Sequence, residues 1–190
     1  MKFSKIVCKV APIFPSIIKL GFLWFAHWSN FYQWMERTFL KTVDIEDIDK
    51  WNNFDSPDES WRMFCTAKGL THYGSDKWYM LFDGCSCPER FIYRRAGDCD
   101  DHSLLGFYYF GHNINFKGEP YIFQGLWAYV TPSFGHMVAV YENLNTNEFF
   151  VVSNGETFHA FNEIFFKDTK FIGKFKIINN KLKFSEMVIL

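Results

Sequence analysis

The stretch RRAGDCDDHS, residues 94–103, places a cysteine among three aspartates directly before an apolar run. Gly97 permits a sharp turn, Asp98 is a favoured N-cap residue, and Cys99 then takes the first position of a helix. A thiol at that position faces unpaired backbone N–H groups and the positive end of the helix dipole, and both stabilise a thiolate. The stretch therefore predicts a helix with a reactive cysteine at its start, and the alternative is a buried, inert thiol.

The charged neighbours of this cysteine have a structural explanation of their own. Asp98 and Asp101 are expected to cap the helix, because carboxylates at its start accept backbone N–H bonds. Asp100 is expected at the surface, and the two arginines just upstream, Arg94 and Arg95, offset the negative charge. This assignment directs the acidic side chains to the helix end rather than to the sulfur.

A thiolate nucleophile needs a nearby base, for which the chain offers histidines at positions 27, 72, 102, 112, 136 and 159. His136 opens the alternating stretch HMVAVY directly after a glycine, so a strand can carry it to the helix end. His102 follows Cys99 on the same helix and is expected to point away from the helix terminus, at the surface. His112 and His159 are expected in loops or at strand ends. His136 is therefore the predicted base.

A third residue that orients the imidazole is expected at the end of the next predicted strand, FFVVSNG. Asparagine has this role in Cys-His-Asn sites, which gives the order Cys99, His136 and Asn154. Ser153 is the alternative for the third position. The pair Asn154–Gly155 is also a strong turn signal by itself. The predicted catalytic residues are thus Cys99, His136 and Asn154, and no cofactor is predicted.

The composition excludes some classes of protein. The 190 residues carry a formal charge of -1 with a pI near 6.6, so nothing marks the chain as a dedicated nucleic-acid binder. The five cysteines are odd in number and irregular in position, unlike a secreted disulfide framework. A reducing, cytoplasmic compartment is therefore expected.

A metal site is a competing interpretation of the pair Cys85 and Cys87, whose spacing suits ligation. No second pair of cysteine or histidine ligands stands nearby in the sequence, so the site would need a histidine from elsewhere. A metal-binding protein is accordingly kept as a separate hypothesis.

The N-terminal segment is basic and rich in apolar residues, but it lacks the pattern of a signal peptide, and a membrane span is the least favoured of its interpretations. Lysines and prolines interrupt it, and no small-residue cleavage site follows. Its longest clean apolar run, residues 21–28, is far shorter than the roughly 20 residues that a span needs.

From Ser16 to about Thr42, apolar residues recur at steps of three and four, which predicts a helix. The apolar stripe comprises Ile17, Leu20, Trp24, Trp28, Phe31 and Met35. Polar residues fall between these positions, namely Lys19, Ser29, Gln33 and Glu36. The wide stripe is expected to pack on the domain or on a protein partner, and peripheral contact with a membrane surface is the alternative.

Helical patterns come first along the chain and strand patterns second, which is typical of an α+β fold. SPDESW at 56–61 and PERFIYRR at 88–95 carry helix-start signals. The second half contains three stretches rich in Val, Phe and Tyr, with a turn at 142–148 between two of them. A further hairpin is expected to close around Asn179 and Asn180.

The stretches RRAGDCDDHS, GHMVAVY and FFVVSNG together resemble the transglutaminase-like superfamily, in particular its bacterial and phage cysteine-proteinase-like branch. Its members carry a G-D-C-x-D-x-[AS] motif at a helix start, a histidine that opens one strand, and an Asp or Asn near the end of the next. The resemblance covers roughly residues 55–160. The aspartate that the family most often has at the third position is absent here, where Ser153 and Asn154 stand.

The resemblance implies a papain/transglutaminase-like domain over residues 51–190, preceded by an aromatic helical extension over 1–50. It implies Cys99 as nucleophile and His136 as base of an enzyme that transfers acyl groups from a protein or peptide substrate, as a peptidase, an amidase or a transglutaminase. The Cys99 backbone N–H would line the oxyanion hole, with Trp78 as a candidate second donor. The alternative is an inactive module of the same fold with a structural or interaction role in a phage or bacterial assembly.

Overall fold

The computed structural model describes residues 13–43, 56–70, 72–74, 84–130, 135–154, 156–160 and 169–190. Within these ranges there are four helices: α1 (Ile13–Phe39), α2 (Pro57–Lys68), α3 (Pro88–Arg94) and α4 (Cys99–Phe110). The strands are β1 (His72–Tyr73), β2 (Ala96–Gly97), β3 (Asn113–Phe116), β4 (Glu119–Val130), β5 (Gly135–Asn143), β6 (Phe149–Ser153), β7 (Glu156–Ala160), β8 (Phe171–Ile178) and β9 (Lys181–Ile189). The order of helices before the main strands confirms the α+β class expected from the sequence.

Strands β3 to β9 form one sheet in which every pairing is antiparallel. The order is β7-β6-β5-β4-β8-β9, and β3 also pairs with β4, while β1 and β2 form a separate parallel pair. Strand β4 runs beside β5 with Tyr129 opposite His136. Because β5 and β6 are antiparallel neighbours, the start of β5 and the end of β6 meet at one end of the sheet.

The ends of several elements follow local sequence signals. Ser56 caps α2 by accepting a hydrogen bond of 3.1 Å from the Glu59 N–H, and Gly69 ends that helix in the left-handed conformation with φ of 69°. Asn179 and Asn180 have φ of 52° and 56° in the turn between β8 and β9. These features confirm the predicted helix start at Ser56 and the predicted final hairpin.

Helix α4 packs on β5 and β6 and is buried on almost every side. Of its 12 residues, only Cys99 and Tyr108 are partly exposed. Gly106 allows the helix to approach β6 closely, because a Cβ there would lie 2.8 Å from the Val152 side chain. A helix enclosed in this way is held in one position, and its first residue reaches an open cavity.

Helix α1 packs on β8 and β9 and contributes to the same hydrophobic core. The Phe22 ring stacks on Phe184 and meets Phe175 edge to face, with ring centroids 5.9 Å apart in both pairs. Asn30 binds the Leu182 backbone through two hydrogen bonds, of 2.7 Å and 2.8 Å. Among the helices described here, none has the length and apolar character needed to cross a bilayer.

The side of α1 that meets the domain is not the one expected from the apolar stripe. The buried side carries polar residues from between the apolar positions, namely Ser29, Gln33 and Glu36. Four members of the stripe are exposed: Ile17, Leu20, Trp24 and Phe31. The helix does pack on the domain, as expected, but through Phe22, Ala26 and these polar residues, two of which bind the segment 84–87, and not through most of the stripe.

Candidate active site

Cys99 lies where the sequence motif placed it, at the first position of α4. Asp98 precedes it in an extended conformation at the N-cap position. Cys99 is partly exposed and lines a cavity of about 270 Å³. Its sulfur accepts a hydrogen bond of 3.4 Å from the Met137 backbone N–H. This bond favours the thiolate over the thiol, and so does the helix N-terminus.

The Ser103 hydroxyl connects the start of α4 to strand β5. It donates to the Cys99 carbonyl oxygen at 2.6 Å and to the Met137 carbonyl oxygen at 2.9 Å. A hydroxyl shared between a carbonyl of its own helix and a carbonyl of the strand fixes one element against the other. The sequence analysis did not predict this bond, although Ser103 is the last residue of the motif and thus carried a signal.

His136 opens β5 and lines the same cavity as Cys99. Its Nε2 lies 2.8 Å from the hydroxyl of Ser153, which ends β6. The ring of Tyr129 on β4 is arranged edge to face with the imidazole, at 5.3 Å between centroids. Because Nε2 is engaged by Ser153, Nδ1 is the ring nitrogen through which a proton can be exchanged with the cavity.

Burial lowers the pKa of His136 below its ordinary value, and the nearby Asp98 carboxylate opposes this shift. The neutral imidazole, which can accept a proton, is therefore the favoured form at neutral pH. Burial also raises the pKa of Tyr129 to about 12, with a smaller contribution from Cys99. The Tyr129 hydroxyl accordingly stays protonated at neutral pH.

The imidazole bonds with Ser153, which was the alternative for the third position. Asn154 takes a left-handed turn conformation with φ of 50°, and its carbonyl oxygen accepts a bond of 3.3 Å from the Trp61 indole. The Asn154 Oδ1 is buried without a hydrogen-bond partner among the described residues. The structure thus brings Ser153 rather than Asn154 to His136, because the chain turns away from the strand at Asn154.

Two of the acidic residues in the motif differ from expectation. The Asp98 side chain makes no capping hydrogen bond, and its Oδ1 is buried without a hydrogen-bond partner in the part of the chain that the structure describes. Asp100 is 4 % exposed, so its expected place at the surface is wrong; its carboxylate adds to burial in raising the pKa of the nearby Cys85 thiol. Both carboxylates stay close to Cys99 and oppose thiolate formation.

The Asp101 side chain binds the segment 84–87, which precedes α3. It accepts a hydrogen bond of 2.6 Å from the Ser86 backbone N–H and pairs with Arg94 at 3.2 Å. The expected charge neutralisation by Arg94 is confirmed. Asp101 was expected to accept a hydrogen bond from a backbone N–H of its own helix, but the donor is the backbone N–H of Ser86. Gly97 leaves space for this carboxylate, since a Cβ at that position would clash with it.

His102 is a core residue, so its expected place at the surface is wrong. It is 1 % exposed, and its ring nitrogens lie 2.8 Å from the Asp98 carbonyl oxygen and 3.1 Å from the Leu70 carbonyl oxygen. The ring links the motif to the residues that follow α2. With both nitrogens engaged by backbone carbonyls, His102 does not serve as a base for Cys99.

The cavity beside Cys99 is lined mainly by apolar side chains. Strand β4 contributes Ala128 and Val130 to its wall, and α1 contributes Phe22 and Phe25. Helix α1 therefore forms part of the cavity as well as part of the core. A concave apolar surface next to a nucleophile suits an apolar substituent of a substrate.

Cys85 and Cys87, the pair considered for metal binding, are both buried. Burial raises the pKa of Cys87 to about 12 and that of Cys85 well above its ordinary value, so both are held as thiols. Within the described ranges, the side chains whose geometry suits a metal ion are Asp98, Cys99 and Asp100, with ligand atoms within 4.8 Å of one another. This group overlaps the candidate nucleophile and contains neither Cys85 nor Cys87.

Comparison with known proteins adds no assignment to this geometry. No protein-family model, no curated protein and no solved structure matches the chain. The resemblance to the transglutaminase-like superfamily therefore stays a prediction from the three sequence stretches. Trp78, the candidate second oxyanion donor, lies outside the described residues.

Proposed function

We propose that the protein is a cysteine-dependent acyl-transfer enzyme with Cys99 as nucleophile and His136 as general base. The observation that carries the proposal is the position of the Cys99 sulfur. It lies at a helix N-terminus, accepts the Met137 N–H, and faces a cavity that His136 also lines. These features favour a reactive thiolate against the opposing Asp98 and Asp100 carboxylates and, with the sequence motif, support a papain/transglutaminase-like fold for the domain.

In the proposed reaction, Nδ1 of His136 accepts the thiol proton, and the Cys99 thiolate attacks the carbonyl carbon of an amide. The carbonyl electron pair moves onto oxygen, where the Cys99 backbone N–H stabilises it. The carbonyl then reforms, the C–N bond breaks, and His136 gives its proton to the departing amine. Water or a second amine then attacks the thioester carbonyl and gives a proton to His136. The C–S bond breaks, the acid or the new amide leaves, and His136 returns the proton to the Cys99 sulfur.

Ser153 would hold the imidazole in the orientation that this proton transfer needs. When Nε2–H donates to the Ser153 hydroxyl, Nδ1 is left as the acceptor. A hydroxyl carries no charge and stabilises an imidazolium less than a carboxylate does. The Asp98 carboxylate, which favours the protonated form of His136, supplies a negative charge in the same site.

The substrate that fits this site is a protein or peptide amide with an apolar side chain beside the scissile bond. Phe22, Phe25 and Val130 would receive that side chain in the cavity. Hydrolysis and transamidation use the same protein groups, so the acyl acceptor distinguishes a peptidase or amidase from a transglutaminase.

The proposal is tested by the rate at which iodoacetamide alkylates Cys99 from about pH 5 to about pH 9, read by peptide-resolved mass spectrometry. In the wild type we expect alkylation well below the ordinary thiol pKa of about 8.5, and in His136→Ala a shift of the profile to higher pH. A chelator in the buffer keeps metal ions from Cys99. The buried Cys65 and Cys85 serve as internal controls and should remain unlabelled in the native protein.

A matched pair of variants tests the third position. Ser153→Ala removes the hydroxyl on the imidazole and should slow alkylation at neutral pH about tenfold. Asn154→Gly keeps the left-handed turn, removes the amide, and should leave the rate unchanged. A Cys99 that is unreactive across the pH range, or a profile unaffected by His136→Ala, would contradict the proposed enzyme and favour the inactive module.

A further inference from the structure

The outer side of α1 is the largest surface to which the proposed reaction gives no role. Large apolar side chains are exposed along its length: Ile17, Leu20, Trp24, Phe31, Trp34 and Phe39. Trp24 and Trp34 are 57 % and 54 % exposed. Single exposed apolar residues are normal on proteins, but a row along a helix about 40 Å long marks a contact surface.

The rings on this side of α1 form a continuous surface. Trp24 stacks on Trp28 with centroids 6.1 Å apart, and Trp28 lies 5.5 Å from Phe31. Phe31 lies 5.8 Å from Trp34, and Trp34 lies 5.9 Å from Phe39. We name the exposed apolar residues together with Trp28 the aromatic face.

The opposite side of α1 holds the aromatic face outward. The Glu36 carboxylate, 1 % exposed, accepts hydrogen bonds from the Ser86 hydroxyl at 3.2 Å and the Cys87 N–H at 2.7 Å. The Ser29 hydroxyl accepts the Cys85 N–H at 3.2 Å. Rotation of the helix about its axis would break these buried bonds, so the aromatic face is fixed on the outside of the described part of the domain.

The charge around the aromatic face points to an anionic surface. The described residues 13–43 contain three basic side chains (Lys19, Lys41 and Arg37, which pairs with Glu89) and one acidic side chain, a formal charge of +2 in a chain whose total is -1. That acidic side chain is Glu36, which is buried on the other side of the helix. Lys181 and Lys183 of β9 line the groove beside Phe31 and Trp34. Lysine is depleted in protein interfaces, whereas it attracts anionic lipid headgroups.

We propose that the aromatic face docks on the surface of a membrane that contains anionic lipids. Trp and Phe side chains suit the boundary between headgroups and acyl chains, because the ring enters the apolar layer while the indole N–H reaches polar groups. The helix lies in the plane of this boundary, and the neighbouring lysines meet the headgroups. Docking of this kind is independent of the chemistry at Cys99.

The test is sedimentation of the full-length protein with vesicles of phosphatidylcholine alone and of phosphatidylcholine with about 30 % phosphatidylglycerol. We expect binding to the anionic vesicles, weaker binding to the neutral ones, and a blue shift of tryptophan fluorescence. Trp24→Gln and Trp34→Gln should each weaken binding about tenfold. Leu144→Gln is the matched control, because Leu144 has the same 54 % exposure as Trp34 but lies in a turn of the sheet, and it should bind as the wild type does.

Quenching of wild-type tryptophan fluorescence by brominated lipids gives a readout that needs no variant. Absence of both vesicle binding and quenching would overturn the proposal, and so would an equal loss of binding in Leu144→Gln. Light scattering without vesicles measures the oligomeric state and shows whether a second copy of the chain covers the aromatic face. A dimer that Trp24→Gln dissociates, together with no vesicle binding, would assign the aromatic face to self-association and overturn the membrane proposal.

Discussion

Helices α1 and α4 differ in what they bury and in what they expose. Helix α4 is enclosed by its neighbours and reaches the cavity through Cys99, at its start. Helix α1 buries Phe22 and Ala26 together with polar side chains on its inner side and exposes a row of rings on its outer side. In α4, enclosure fixes the position of one reactive atom. In α1, polar contacts fix the orientation of the helix, so that an apolar surface faces outward.

The two helices are connected through the segment 84–87. Glu36 of α1 binds the Cys87 N–H from one side, and Asp101 of α4 binds the Ser86 N–H from the other. Buried hydrogen bonds contribute modest net stability, but a partner left unsatisfied is costly. The comparison therefore indicates that buried polar residues join the two helices through one short segment, in addition to their apolar packing on the sheet.

The largest effect is expected from Glu36→Ala. The variant leaves the Ser86 hydroxyl and the Cys87 N–H buried without their acceptor, which should lower the free energy of unfolding by about 2–4 kcal/mol. Trp24→Gln, on the outer side of the same helix, should change it by less than about 0.5 kcal/mol. Urea denaturation measures both. A larger loss in Trp24→Gln would show that the aromatic face belongs to the core and would break the comparison.

A smaller effect is expected from Ser103→Ala, which removes the link between α4 and β5. We expect a loss of about 1–2 kcal/mol in the free energy of unfolding. Thr66→Ala is the control, because Thr66 donates a similar bond to the carbonyl four residues earlier, at 2.8 Å, but on an exposed surface. The control should stay within about 0.5 kcal/mol of the wild type. Equal losses of unfolding free energy in the two variants would mean that the bond to the Met137 carbonyl does not help to hold α4, and with it Cys99, against β5.

The smallest effect is expected from His136, which should make the free energy of unfolding depend on pH. Because burial lowers the pKa of His136 from 6.5, the folded state binds the proton less tightly than the unfolded state does. The unfolded state therefore takes up the proton first as the pH falls through about 6.5, and stability decreases below that pH. The wild type should lose more stability than His136→Gln between about pH 7.5 and about pH 5.5, by urea denaturation at each pH. Parallel profiles would contradict a buried neutral imidazole.

The features that the sequence predicted correctly depend on local signals. Ser56 as a helix cap and Asn179 in the last hairpin are set by their own backbone preferences, and so is the helix start at Cys99. The strands of the second half follow from alternation over short stretches. In these cases the residue and the backbone groups that it caps or turns lie within a few positions of each other in the sequence.

The features that were missed depend on residues far apart in the chain. His102 was expected at the surface because its side chain should point away from the helix terminus, and Asp100 was also expected there. Both are buried, because Leu70 and Cys85 are brought to them from other parts of the chain. The orientation of α1 was likewise set by the segment 84–87 rather than by its own stripe. At the third position, a shift of one residue decides which side chain faces the imidazole, and only the strand register supplied that information.

The burial of the other thiols has a practical consequence for work with this protein. Among the described cysteines, Cys65, Cys85 and Cys87 are buried and Cys99 alone is partly open to solvent. Mild oxidants and thiol-directed probes should therefore act on one of these four sulfur atoms in the native state. With Cys8, which lies outside the described residues, replaced by serine, a fluorophore or spin label on Cys99 would report directly from inside the cavity.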